Sequence, residues 1–218
     1  LTFRDYCGVG VAFKLAQAMY EGEVEDLIGE YIEYVAVGTI GDFMPLLHEN
    51  RGLVREGLKK INRNPSAPFE AFINYNGSAK DYTAGDIVMQ LCPKINALGR
   101  MGDASRAVEF LISEDAEDCA YKFEQLCLEN SRRQEIEKQI LDDVTKTLAE
   151  NPSVASKRVI VVKGKGYHHG VTGIVASNIV EKYNKPVFIL SIDEDGIARG
   201  SARSVGSFNI HDAISYCK

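Results

Sequence analysis

The sequence has no C-x-x-C pair, no apolar run of bilayer-spanning length and no basic, apolar leader. Each absence excludes a class. The five cysteines, Cys7, Cys92, Cys119, Cys127 and Cys217, are odd in number and irregularly spaced. That argues against a disulfide framework and against a zinc ribbon. Buried free thiols in a reducing, cytoplasmic setting are expected instead. Without a run of about 20 apolar residues, no transmembrane helix and no membrane partner is expected. The chain opens on LTFRDYCGVG, with no Met and no signal peptide, and closes on NIHDAISYCK within a helical pattern. A piece of a longer protein, cut at both ends, is the expectation. Histidine is scarce, with four in 218 residues, so few imidazoles are on hand for a metal centre. Between Asp115 and Glu150 there is neither proline nor glycine.

What is present is a globular composition, 45% hydrophobic and 26% charged. Net charge is −6, which on its face opposes nucleic-acid binding. Its distribution points the other way. Residues 1–156 carry 16 basic and 26 acidic side chains, a net of −10; residues 157–218 carry 9 and 5, a net of +4. One module that meets an anion, beside a solvated remainder, gives this asymmetry; an ordinary fluctuation would give it too.

Apolar spacing predicts helices over 8–20 and 24–37, the second ending in GTIGDFMPL. A third begins near His48, and NRNPSAP reads as a loop. PFEAFINY is too short to assign. TAGDIVMQL is helical, with Thr83 and Asp86 as capping groups. CPKINALGRMGDA reads as a glycine-punctuated, basic turn, followed from Asp103 by a capped helix with Ala107, Val108, Leu111 and Ile112 on one face. From Asp115 to Glu150, Ala120, Phe123, Leu126, Cys127, Ile136, Ile140, Val144 and Leu148 recur at helical spacing. A helix polar in its middle, ENSRRQEIEKQ, and apolar towards its ends suits a bridge of roughly 50 Å between domains. Two shorter helices broken near Asn130 are the alternative. After Asn151-Pro152-Ser153 the period changes. RVIVVKG and PVFILSI read as buried strands around the helix HGVTGIVASNIVEKY, which implies a parallel pair. IARGSARS reads as a third strand. The expected fold is α/β: a mostly helical part (1–114), a long connecting helix (115–151) and a small α/β module (152–218).

Three places carry chemistry. KGKGYHHGV joins a strand end to a helix start, where backbone N–H groups and glycines admit anions. Lys163 and Lys165 add charge, and His168 and His169 add donors. A metal site needs further ligands, and adjacent histidines on extended chain point apart; one of the pair could also simply pack in the turn. Tyr167 is a candidate for base stacking or for packing. On the third strand Ser201 and Arg203 share a face, a hydroxyl beside a guanidinium that suits phosphate. In GTIGDFMPL, Asp42 is either a helix cap or a metal ligand, and one carboxylate alone holds no catalytic Mg²⁺ or Mn²⁺. In NALGRMGD, Asn96 is polar, and Arg100 is placed for a phosphate or for pairing with Asp103.

Taken in order, CGVGVAFKLAQAM, VGTIGDFMPL with ENRGLVREGL, CPKINALGRMGDA, ENSRRQEIE, YHHGVTGIVAS and GSARS with FNIHDAI resemble the RecJ-type exonucleases of the DHH phosphoesterase superfamily. The resemblance runs through nearly the whole chain. It implies the C-terminal part of a DHH domain, a connecting helix and a truncated DHH-associated domain. It also implies a metal-dependent 5′→3′ exonuclease of single-stranded DNA, acting in repair and recombination with a Mn²⁺ or Mg²⁺ pair. By position, Asp42 matches a metal-holding aspartate. Asn96 and Arg100 match a motif near the substrate phosphate, and His168, His169, Ser201 and Arg203 match the strand-holding face. Single-stranded DNA is the implied partner, with a helicase and a single-stranded-DNA-binding protein as further partners. The motifs with the DHH triplet would lie upstream, and a glycine-histidine motif downstream, so the 218-residue piece alone is expected to be inactive. The competing expectations are a DHH-type phosphodiesterase for short oligoribonucleotides or cyclic dinucleotides, and a non-catalytic replication scaffold.

Overall fold

A computed structural model describes residues 3–77 and 80–217. The chain divides into two compact units, Leu1–Leu98 with Ala104–Leu128, and Gly99–Asp103 with Glu129–Lys218.

The first unit is helical. Helix α1 (Gly8–Met19) is followed by α2 (Val24–Gly41), which runs past the expected end at residue 37 and takes in both glycines of GTIG. Helix α3 (His48–Arg63) packs along α2 at Gly57. A Cβ there would lie 2.3 Å from the Ala36 Cβ and 2.6 Å from the Ile32 carbonyl, so only a bare backbone fits. Beside this contact the fully buried Glu33 pairs with Lys60 and accepts the Ser66 N–H at 3.1 Å. A carboxylate taken from water requires such compensation. PFEAFINY, unassigned from sequence, lies in α4 (Ala67–Asn76), opened by Pro68 and closed by Gly77 at φ 61°.

Thr83 and Asp86 form a reciprocal capping box on the short α5 (Ala84–Asp86). The chain continues as a π turn, Ile87–Leu91, into α6 (Cys92–Met101). NALGR is therefore helix, against the expected glycine-rich turn. Pro93 gives a reason for the distortion: it has no N–H and its ring crowds the carbonyl one turn back. The wider turn, closed by the Cys92 N–H on the Ile87 carbonyl, relieves that crowding. Helix α7 (Ser105–Leu111) buries Ala107 and Phe110, while Val108 and Ile112 are exposed, so its core face is rotated from the expected one. The core gathers Ile61, Phe69, Phe72, Leu91, Leu98 and Phe110 around Phe123, whose ring lies 5.8 Å from Phe72 and 5.5 Å from Phe110.

Helix α8 (Ala116–Glu150) is continuous for 35 residues, with no break near Asn130. Its first half gives Cys119, Phe123, Leu126 and Cys127 to the first core; Ala120, expected there, is exposed. Its second half gives Ile140, Val144 and Leu148 to the second core. Arg133, in the polar middle, pairs with Glu137 and donates to Asn130 Oδ1 at 2.7 Å.

The second unit follows a short α9 (Pro152–Ala155) with β1 (Ile160–Lys165), α10 (His169–Tyr183), β2 (Val187–Ile192), β3 (Ala198–Arg203) and α11 (Ile210–Tyr216). β1 and β2 pair in parallel, and β3 adds antiparallel to β2 with Ile189 opposite Ser201. Burial alternates along β1, leaving Val161 and Lys163 exposed, so this strand is half-buried where a fully buried one was expected. Helix α10 packs Val171, Val175, Ala176 and Ile179 against Ile160, Val162, Val187 and Ile189.

Candidate nucleic-acid and metal sites

Asp42 is the C-cap of α2, and α2 closes there in a Schellman arrangement. The Phe43 N–H reaches the Ile40 carbonyl at 3.0 Å and the Met44 N–H reaches the Thr39 carbonyl at 3.2 Å. Position C′ of this motif needs a left-handed residue and is usually glycine. Here it is Phe43 at φ 53°, a strain of about 1–2 kcal/mol for a residue with a Cβ. The Asp42 carboxylate is exposed, makes no hydrogen bond or ion pair among the described residues, and stands at the negative end of the helix dipole with no basic residue in the last turn. It is thus an uncompensated charge where the fold disfavours one.

Asp42 and Asn96 line one cavity of about 250 Å³ in the first unit, with Gly38, Gly41, Cys92 and apolar side chains. Burial first, and then the Asp42 charge, push the Cys92 thiol up to about 11. A thiol is in any case a poor partner for Mn²⁺ or Mg²⁺, which prefer oxygen ligands. No group of three or more His, Cys, Asp or Glu side chains that could hold a metal occurs among the described residues. The described residues therefore supply at most part of the ligand set that a Mn²⁺ or Mg²⁺ pair needs. Arg100, one turn after Asn96 on α6, is exposed; within the second unit its guanidinium reaches the Gly170 carbonyl at 3.4 Å.

In the second unit the double histidine splits its roles. His168 is the N-cap of α10, and its Nδ1 accepts the Gly170 N–H at 3.2 Å. In that arrangement Nε2 carries the proton and is left as a donor. The Val171 N–H turns to the His168 carbonyl at 2.9 Å. The helix start is thus largely self-capped, the Gly170, Val171 and Thr172 N–H groups all being bonded to His168. The His169 side chain is exposed. Tyr167, weighed as a stacking residue, is buried and donates to Asp143. Burial first, and then the Asp143 carboxylate, push its phenol well up. Gly164 makes the room, since a Cβ there would lie 2.1 Å from the Tyr167 Cζ.

Ser201 and Arg203 do share the face of β3 that meets α10. Thr172 Oγ1 donates to the His169 carbonyl at 3.0 Å and lies 3.0 Å from Ser201 Oγ. With the Thr172 proton so used, the Ser201 hydroxyl donates inward, and what it offers outward is lone pairs. Arg203 lies across α10 over Gly173. Its Nε reaches Ser177 Oγ at 3.2 Å and one terminal nitrogen reaches the Ala202 carbonyl at 2.9 Å. The other terminal nitrogen lies 2.7 Å from the place of a Gly173 Cβ. Thr172 and Ser177, which hold this face together, escaped the sequence reading. Their signal was there: hydroxyls five residues apart in TGIVAS, within an otherwise apolar helix. Lys163 and Lys165 are exposed on β1.

The second unit carries a recognisable family pattern. Residues 153–217 match the DHHA1 domain family. Over nearly its whole length the chain is similar to proteins named RecJ. It is 38% identical to the single-stranded-DNA-specific exonuclease RecJ of Bacillus subtilis over 99% of this chain and 27% of that protein. With the protein of the same name from Thermus thermophilus it shares 33% identity over 95% of this chain and 29% of that protein. Among solved structures, a RecJ bound to manganese is similar with a TM-score of 0.79 and 30% identity, over 98% of this chain and 52% of that one. RecJ of Thermus thermophilus with Mg²⁺ gives 0.77 and 30%, over 100% and 33%. The chain thus spans little more than a quarter of the curated relatives just named.

Proposed function

We propose that the protein containing this chain is a metal-dependent 5′→3′ exonuclease of single-stranded DNA, serving repair and recombination in the cytoplasm. Residues 1–114 are the C-terminal part of its catalytic DHH domain, 115–151 the connecting helix and 152–218 the strand-holding domain. The observation that carries the reading is Asp42, an unpaired carboxylate in a RecJ-like sequence context, at a helix end that disfavours it. Asp42 would give one oxygen ligand to a Mn²⁺ or Mg²⁺ pair, which when bound would supply activation of water for phosphodiester hydrolysis; the remaining ligands would come from outside the described residues. Asn96 and Arg100 approach the substrate phosphate. On the DHH-associated domain, His168 Nε2, His169 and the outer N–H groups of Arg203 hold phosphates. Ser201 keeps β3 on α10, and from that position borders the strand. A helicase and a single-stranded-DNA-binding protein deliver the strand.

The test is hydrolysis of long single-stranded DNA by the full-length protein with Mn²⁺, compared with dinucleotides. Processive release from the 5′ end, abolished by Asp42→Ala, is the expected result. A preference for dinucleotides would give the reading to a DHH-type oligonucleotide or cyclic-dinucleotide phosphodiesterase. Binding without hydrolysis would give it to a scaffold.

A further inference from the structure

The Arg203 guanidinium is held by a hydroxyl on α10. Its Nε–H donates to Ser177 Oγ at 3.2 Å, and that hydroxyl donates its own proton to the Gly173 carbonyl at 3.1 Å, one turn back on the helix. With the proton committed to the carbonyl, the lone pairs of Oγ are left for the guanidinium. Gly173 and Ser177 stand four residues apart and so share one face of α10. The first leaves room for the long side chain and the second takes its Nε. Ser177 Oγ and the Ala202 carbonyl are both neutral, so they fix the positive charge without cancelling it. Arg199, on the same strand, faces the Asp193 carboxylate at 3.9 Å instead. Two of the five N–H groups of Arg203 are used in this way, and three remain.

We infer that Ser177 is a positioning residue for the phosphate contact of Arg203. The inference rests on the function proposed above and deepens it. A guanidinium can meet an oxyanion along either of two edges: Nε with one terminal nitrogen, or the two terminal nitrogens together. Ser177 occupies the Nε of the first edge, so the second is the one left for a phosphate. An arginine free to turn about its side-chain bonds must be ordered when it binds, at a cost in affinity. Ser177 orders it beforehand, and Gly173 keeps its path over the helix clear. The hydroxyl acts through Arg203 and meets no phosphate itself.

The experiment titrates the full-length protein with a single-stranded DNA oligonucleotide across a range of salt, in chelator so that the strand is not cut. Wild type is compared with Ser177→Ala, Arg203→Ala and the double variant. Ser177→Ala is expected to weaken binding about two- to tenfold, the cost of ordering one long side chain. The slope of log K against log salt should stay at the wild-type value, because the charge is still there. Arg203→Ala is expected to weaken binding further and to reduce that slope by about 1. The double variant should bind as Arg203→Ala does, since Ser177 then has nothing to position. Unchanged affinity in Ser177→Ala overturns the inference. An equal loss from Ser177→Ala with and without Arg203 also overturns it, because a merely structural hydroxyl would give that result. A wild type that does not bind the strand overturns the proposed function itself. A wild type that binds, with Arg203→Ala impaired and Ser177→Ala indifferent, overturns the present inference alone.

Discussion

Replacing Asp42 by Asn separates what the fold wants from what the chemistry wants. The carboxylate stands at the C-terminus of the 18-residue helix α2, with no cation in the last turn and no partner among the described residues. A negative charge at that end costs about 0.3–1 kcal/mol. Asn keeps the shape and removes the charge, so the metal-free protein should gain that amount, or about 1–4 °C in the transition of a unit of 150–250 residues. If Asp42 holds a metal, the same change should remove the rise in Tm that Mn²⁺ gives the wild type. It should also lower hydrolysis by at least about a hundredfold, more than the loss expected for a residue that merely orients a ligand. Calorimetry of full-length wild type and Asp42→Asn, each with chelator and with Mn²⁺, reads both signs in one set. A lower Tm with chelator would make Asp42 a structural cap, and an undiminished Mn²⁺ shift would remove it from the metal site.

Three further predictions come from other parts of the fold. Gly173→Ala places a methyl against the end of the Arg203 side chain, which can swing away; the fold should survive, and single-stranded-DNA binding should weaken as in Arg203→Ala, with the slope of log K against log salt reduced by about 1 in both. Unchanged titrations at low salt would remove Arg203 from the strand path. Gly57→Ala overpacks the contact of α2 with α3 against backbone, so urea unfolding should show a loss of about 1–3 kcal/mol; a neutral result would contradict the close approach. The Asp118 carboxyl is held below its ordinary value of 3.8 by the Lys122 and Ser113 side chains. Its stabilisation is present above that value and lost as pH falls through the lowered one; Asp118→Asn should therefore flatten the acid limb of a Tm–pH profile, and an unaltered limb would refute the pairing.

The periodic parts of the fold were legible because one period held over many residues. The long helix, the strand–helix–strand order and the Thr83–Asp86 box all follow from local rules. NALGR misled because glycine and proline ordinarily punctuate turns, whereas a π turn absorbs Pro93 and lets the helix run on. Helix α7 was misread because Val108 and Leu111 share a spacing with Ala107 and Phe110, and only tertiary packing chooses between the two faces. At the candidate sites, residue types and their order were readable. The hydroxyl relay through Thr172 was not, nor was the self-capping of His168, nor the left-handed backbone of Phe43, because each depends on a partner or a torsion that spacing does not encode.

Helix α8 has a consequence for how the chain can be divided. Its halves serve two cores, yet nothing between Leu128 and Glu129 marks a seam in the backbone. A cut there would strip four carbonyls from one new end and four N–H groups from the other of their helical partners. Each core would also be left with a frayed strip of its own wall. The two units are distinct as interiors but share one backbone element. Melting of either half therefore withdraws turns from the other, and the helix couples the two folding equilibria even though no side chain need pass the message.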